Sequence, residues 1–218
     1  YQTLRDAGAQ SGQDSQYPTG MQIGLGTKVA ATNRVMTQGS LQTTDNPTDI
    51  GIQGEGFFRI TMPDGTTGYT RDGAFKLDSN RRLVTTDGYP LADGITIDAT
   101  APSDSIVISG DGQVSCTPAG GTQQVVGQIT LARFVNPAGL TSVGKNLYVV
   151  SAASGDAIES NQGEEGAGTL AQSTLEMSNV QIVEEMVNMI ISQRAYESNS
   201  KAITTSDSML EIANGLKR

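Results

Sequence analysis

Between Asn179 and Leu216 the chain carries no Pro and a single late Gly, Gly215, while apolar residues recur at helical intervals. Val183, Met186, Val187, Ile190 and Ile191 open the series, and Ala195, Ala202, Met209, Ile212 and Leu216 continue it. The spacing predicts one α-helix of about 35 residues, about 50 Å long at 1.5 Å per residue. Ser178 or Asn179 is placed to cap it, with Glu184 and Glu185 near the positive end of the helix dipole. Lys217 and Arg218 fall at the opposite end, where positive charge is favoured.

The chain before this helix has a different period. From Met21 to about Val150, Gly, Asn and Asp break it about every 8 to 12 residues, the rhythm of short strands. Five Asp-Gly pairs occur, Asp64-Gly65, Asp72-Gly73, Asp87-Gly88, Asp93-Gly94 and Asp111-Gly112, and each is read as a tight hairpin turn of two residues. Between the turns lie Ile50–Ile52, Phe57–Ile60, Phe75–Leu77, Leu83–Val84, Ile95–Ile97, Ile106–Ile108 and Leu147–Val150. Gln128–Phe134 reads as one strand with Ile129 and Leu131 on one face and Thr130 on the other. The fold class expected is mainly β, an antiparallel sandwich-like or barrel-like domain, with one long C-terminal α-helix. Residues 6–20 and 151–168 are small and polar and read as loop or linker.

Three regions follow. Residues 1–44 are an extended or β linker segment, 45–168 the antiparallel β domain, and 169–218 a linker and assembly helix. A β domain of about 130 residues is about 35–40 Å across. A 50 Å helix cannot lie wholly on it, and an apolar stripe of that length left in water promotes aggregation. The helix therefore needs a partner outside the β domain. Residues 180–218 hold five acids and four bases, whereas the other 179 hold 18 acids and ten bases, so the helix is nearly neutral, as suits a packing element.

Composition removes most chemistry. The chain of 218 residues has no His, no Trp and one Cys, Cys116. Serine triads, His-bearing metal sites, thiolate zinc sites and an internal disulfide are excluded. The net charge of −9 argues against nucleic acid and anionic membranes, and no run of 18 apolar residues spans a bilayer. The chain opens on Tyr1 rather than Met, so a missing leader carries no information. No cofactor or metal is expected.

The remaining motifs read most simply as structure. Gly54 and Gly56 allow a tight backbone, and Phe57 and Phe58 place aromatics on both faces of a strand. No helix follows to make a phosphate cradle. Tyr69, Arg71 and Asp72 offer catalytic groups, but Arg71-Asp72 equally ends a strand and opens a turn. Asp72, Asp78 and Asn80 offer oxygen ligands without the spacing of a Ca²⁺ loop. Glu164-Glu165 read as solvated charge. On the helix, Asn188, Gln193 and Arg194 are polar neighbours of the apolar stripe, able to set register across an interface.

These residues carry a resemblance. Asp49–Ile60 (DIGIQGEGFFRI), then Pro63-Asp64-Gly65, Tyr69-Thr70-Arg71-Asp72-Gly73-Ala74-Phe75, Asp78, Leu83-Val84-Thr85 and Gly88, resemble the signature of bacterial flagellar rod and hook proteins. Met177–Val180, Glu184–Ile190 and Gln193–Glu197 resemble that family's C-terminal helix. The opening Tyr1, Gln2, Thr3, Leu4 and Arg5, with Gly8-Ala9-Gln10 and Pro18–Gly24, is similar to a segment of the distal-rod members, associated there with a straight, rigid rod.

The resemblance implies a non-enzymatic structural subunit of the flagellar basal body, exported through the flagellar channel and crossing the periplasm inside the ring structures. It implies a helical assembly with copies of itself, hook and proximal rod proteins as neighbours, and ring proteins around it. It also implies a family N-terminal helix preceding Tyr1, as the partner of the C-terminal one. On that reading Val183, Met186, Val187, Asn188, Ile190, Arg194, Ala195, Tyr196, Ala202, Met209 and Ile212 pack between subunits, and residues 1–20 become ordered between subunits. Alternatives are a hook or proximal rod subunit, a secreted carbohydrate-binding β module, and, last, a carboxylate enzyme.

Overall fold

The computed structural model describes residues 2–5, 10–12, 15–16, 21–163 and 166–215, which fall into two units, 1–35 and 36–218. In the first unit β1 (Gln2–Arg5) pairs antiparallel with β4 (Met21–Ile23), and β2 (Gln10–Gly12) pairs with β3 (Ser15–Gln16). The loop expected across 6–20 thus carries a short ribbon at 10–12 and 15–16. Its polar residues can satisfy their backbone by cross-strand pairing as well as by water.

The second unit is built from β5 (Leu41–Thr43), β6 (Ile50–Gln53), β7 (Phe57–Thr61), β8 (Thr67–Thr70), β9 (Lys76–Leu77), β10 (Leu83–Val84), β11 (Ile106–Ile108), β12 (Gln113–Cys116), β13 (Gln124–Gln128), β14 (Leu131–Arg133), β15 (Thr141–Gly144), β16 (Leu147–Val149), β17 (Ile158–Ser160), β18 (Thr169–Gln172), β19 (Thr174–Glu176) and α1 (Ile182–Gly215). Its strand pairs are antiparallel; an isolated bridge, Glu55 with Ala167, is parallel. The largest sheet has six strands in the order β15-β16-β8-β7-β14-β17, and β11-β12-β13 form a second sheet. No closed barrel forms among the described strands.

Strand alternation divides the interior in two. Phe58 and Leu131 face a large core with Ile50, Ile52, Phe75, Leu83, Ile97, Ile106, Val114, Ile129 and the free Cys116. Phe57, Tyr69, Ala132, Phe134 and Leu140 form a smaller core on the other face of the six-stranded sheet. Edge-to-face ring pairs stitch each core: Phe58–Phe75 at 5.0 Å in the first and Tyr69–Phe134 at 4.9 Å in the second.

Gln128–Phe134 is not one strand. β13 ends at Gln128 in the three-stranded sheet and β14 starts at Leu131 in the six-stranded one, so the chain changes sheets at Ile129-Thr130. Ile129 and Leu131 are both fully buried, as the alternation required, but the Asp93 carboxylate interrupts the ladder. It accepts the Thr130 N–H at 3.2 Å and the Thr130 hydroxyl at 2.7 Å.

The Asp-Gly turns also differ from the expected two-residue form. Gly65, Gly88, Gly94 and Gly112 each donate their N–H three residues back, to Met62, Thr85, Leu91 and Ser109, with φ between +64° and +87°. These are longer turns closed by a left-handed Gly. Gly73 makes no such turn; a Cβ there would stand 1.7 Å from the Ile50 carbonyl oxygen. A two-residue hairpin does form at Lys145-Asn146, joining β15 to β16 with φ of +52° and +59°.

Candidate assembly surface and its connector

α1 is 34 residues long, about 51 Å at 1.5 Å per residue, with every described residue exposed. Neither expected residue caps it. Ser178 Oγ accepts the Val180 N–H at 3.2 Å, the Asn179 amide donates to the Thr37 carbonyl and hydroxyl oxygens at 3.0 and 2.9 Å, and the first helical carbonyl is that of Gln181. Ser178 is engaged by the turn just before the helix, and Asn179 by Thr37 on the segment that enters the body.

The apolar residues of α1 do not form one stripe. At about 100° per residue, Ile182, Val183, Met186, Val187, Met189, Ile190 and Ile191 share one side of its first half. Ala195, Tyr196, Ala202, Ile203, Met209, Leu210 and Ala213 centre about 170° away in the second half. Arg194 and Ile212 lie on the side of the first group, whereas Asn188 lies in line with Ala195, Ala202 and Met209. Tyr196 is 77% exposed and Val183 74%. Two broad apolar faces on opposite sides cannot both be covered by a single neighbouring helix.

What holds this helix to the body is a two-stranded connector. β5 pairs with β19, Leu41 opposite Glu176 and Thr43 opposite Thr174, and the pairing continues inward as β6 with β18. Outward, Met177 donates its N–H to the Ser40 carbonyl. The strands approach so closely that a Cβ on Gly39 would fall 1.8 Å from the Met177 carbonyl oxygen. Gln38 adds a bridge, donating to the Ile52 carbonyl at 3.0 Å and accepting the Gly54 N–H at 3.1 Å.

The residues singled out around the GxGFF sequence converge on this connector. Arg71, at the end of β8, donates from Nη2 to the Gly54 carbonyl at 2.8 Å and from Nη1 to the Gly56 carbonyl at 3.1 Å. Its Nε pairs with Glu176 Oε2 at 2.6 Å, and Glu176 Oε1 accepts the Gly39 N–H at 2.8 Å. Arg71 and Glu176 side chains are 19% and 11% exposed, so the pair is shielded from water and joined to backbone on both sides. Gly54 has φ +116°, and a Cβ on it would lie 2.9 Å from Gly168 Cα.

The other candidates serve the frame. Asp72 accepts the Ala74 N–H and the Asn146 side-chain amide. Tyr69 is buried, and desolvation pushes its hydroxyl pKa up. Asp78 accepts the N–H groups of Asn80 and Arg82 as well as the Arg82 guanidinium. Among the described residues no three Cys, Asp or Glu side chains cluster as metal ligands, and no helix is long and apolar enough to cross a membrane. Gln2, Thr3, Leu4 and Arg5 form β1. Tyr1, Gly8, Pro18, Glu164, Glu165, Leu216, Lys217 and Arg218 lie outside the described residues.

Sequence reasoning missed Gly39, Glu176, Gln38 and Asn179 as a unit. A Gly in the alternating run Gln38–Gln42 is the local sign of close backbone approach. Glu176 has no local sign, because Arg71 is 105 residues away.

A β body with an exposed two-sided helix on a paired connector defines a protein built to be joined to others. Residues 51–116 match the family described as "Flagellar hook protein FlgE/F/G D1 domain", and residues 171–216 that described as "Flagellar basal body rod FlgEFG protein C-terminal". The chain is 51% identical to the flagellar basal-body rod protein FlgG of Borreliella burgdorferi, over 100% of this chain and 83% of that protein. It is 48% identical to FlgG of Buchnera aphidicola from Acyrthosiphon pisum (97% and 81%) and 45% identical to FlgG of Caulobacter vibrioides (100% and 83%). The chain belongs to the flagellar rod and hook protein family, and the relatives it resembles here are its basal-body rod members.

Proposed function

We propose that the chain is a structural subunit of the distal rod of the flagellar basal body, assembling with copies of itself into a rigid tubular shaft that transmits torque to the hook. Its role is mechanical rather than catalytic. Hook and proximal rod proteins are its axial neighbours and ring proteins surround it. The observation that carries this reading is the two-sided α1. A subunit with one apolar stripe is satisfied by one neighbour, whereas faces on opposite sides recruit two and lead to an open-ended assembly. The Arg71–Glu176 clamp then passes load from helix to β body.

Among the described residues Tyr196, on the helix, is the exposed large aromatic, so the β body presents no stacked aromatic face for a sugar, and the carbohydrate-binding alternative has no support. The test is motility and rod length in the source bacterium carrying Ile190→Asp, on the first face, or Ile203→Asp, on the second. Each change is expected to shorten or abolish rods and stop swimming. Normal rods with either would overturn the reading.

A further inference from the structure

The connector changes character at one level. β6 pairs with β18 up to Gln172, opposite Ile50, and β5 pairs with β19 from Thr174, opposite Thr43. On one strand a single residue, Ser173, separates the two pairs, whereas on the other the chain runs through residues 44–49. That longer segment is held by the body. Thr48 Oγ1 donates to the Phe75 carbonyl at 2.7 Å, Asp49 bridges to Ala74, and the Gln172 side chain donates to the Pro47 carbonyl at 2.9 Å. Ser173 has φ at +54°, in the left-handed region that a residue with a Cβ rarely adopts, and its carbonyl accepts the Thr44 N–H at 2.7 Å. The direct backbone crossing from body to outer ribbon is thus one strained residue, and the stiffness of a paired ladder is interrupted there.

Two side-chain links span this level. Arg71, fixed on the Gly54 and Gly56 carbonyls, reaches Glu176 on the outer ribbon. Gln38, on the strand leading into β5, reaches the Ile52 carbonyl and the Gly54 N–H of the body. Between the links the outer ribbon lies against bare backbone: a Cβ on Gly51 would stand 3.2 Å from Leu41 Cδ2 and 3.3 Å from Thr174 Cγ2. Neither link lies on the pivot, so each resists a change of angle rather than a break in the chain.

We infer that the connector is a latched hinge. Ser173 is its pivot, and the Arg71–Glu176 pair and the Gln38 side chain are the latches that fix the angle between the outer ribbon and the β body. With both latches closed the angle is single. With both open the outer ribbon, and α1 with it, swings about Ser173 while the body keeps its fold. The hinge is a property of the single chain; only its consequence, that the latches set the stiffness of a torque-bearing link, rests on the self-assembly reading.

The test uses the dilute full chain with spin labels on Ser40→Cys, in the outer ribbon, and Gln113→Cys, in the body. Both positions are exposed, whereas the native Cys116 is 1% exposed and stays unlabelled. A control pair within the body, Gln113→Cys with Val143→Cys, reports the fold. The latched chain is expected to give one narrow distance. Arg71→Ala with Gln38→Ala should about double the width of that distribution and leave the control pair unchanged. Ser173→Gly should add width in the unlatched chain and little in the latched one, a non-additivity that belongs to a pivot held by latches. Where Arg71→Ala does not fold, Glu176→Gln with Gln38→Ala opens the same latches. An unchanged width in the unlatched chain, or a control pair that widens with it, overturns the hinge. Because the labelled chain is unassembled, that failure leaves the self-assembly reading standing, and normal rods with Ile190→Asp would leave the hinge standing.

Discussion

Glu176 accepts the Arg71 guanidinium through one carboxylate oxygen and the Gly39 N–H through the other, at 2.6 and 2.8 Å. One side chain thereby locks both strands of the connector to the end of β8 and, through Arg71, to the Gly54 and Gly56 carbonyls.

Arg71→Ala leaves that carboxylate and two carbonyls without their donor. Breaking a shielded pair costs about 3 kcal/mol, so the denaturant midpoint of the β body should fall accordingly. Arg71→Lys should recover only part of the loss, since a single ammonium cannot reach three acceptors in the planar geometry of the guanidinium. Equal midpoints for wild type and Arg71→Ala would mean the clamp bears no load.

Gly73→Ala and Gly65→Ala should differ sharply. A Cβ at residue 73 meets the Ile50 carbonyl oxygen at 1.7 Å, whereas one at residue 65 meets nothing within 4 Å and is strained only by its φ of +81°. The expected costs are about 3 kcal/mol or loss of folding for the first, and about 1–2 kcal/mol for the second. Thermal unfolding of the pair checks the order.

Val187→Asp should leave the unfolding midpoint of the β body unchanged within about 0.5 kcal/mol, because α1 buries no residue. Light scattering of the concentrated chain should nevertheless show assembly reduced. A fall in the midpoint would place the helix against its own body.

Acid should destabilise the body from below about pH 4. Asp64 has its pKa lowered chiefly by hydrogen bonds from Thr66, Asp78 by those from Arg82, and Asp98 by those from Thr100. A carboxyl depressed in the folded state contributes fully above its unfolded pKa, and its contribution is lost as pH falls through the folded value. Unfolding curves recorded between pH 2 and pH 6 should show Asp78→Asn flattening this acid limb.

Lys145 sits at φ +52° in the Lys145-Asn146 turn, where Asn is better tolerated. Its ion pair with Asp87 at 3.0 Å is exposed and contributes little. Lys145→Asn should therefore stabilise the body slightly, measured as a higher urea midpoint.

The division between what the residues declared and what they hid follows range. The helix and the buried positions of Ile50, Ile52, Phe58, Ile129 and Leu131 were legible, because period and alternation are local properties. Four Asp-Gly pairs were legible as turns but not as turn types, since one left-handed Gly serves several loop lengths. The sheet change at Ile129-Thr130 was hidden because the Asp93 carboxylate that holds Thr130 there lies 37 residues away. The connector was hidden for the same reason: β5 with β19 and Arg71 with Glu176 join residues more than a hundred positions apart. The helix faces were misread as one stripe because apolar residues recur at helical intervals in both halves, while only their angular positions show that the halves face opposite ways.

The paired connector has one more consequence. The chain enters the body through residues 37–43 and leaves it through 174–179 as adjacent strands, about 5 Å apart. The body is thus a cassette, a fold whose two ends lie side by side and which can be lengthened, shortened or exchanged without altering the separation of the segments it interrupts. A lineage could resize the exterior of an assembly in this way while leaving the spacing of its helices untouched.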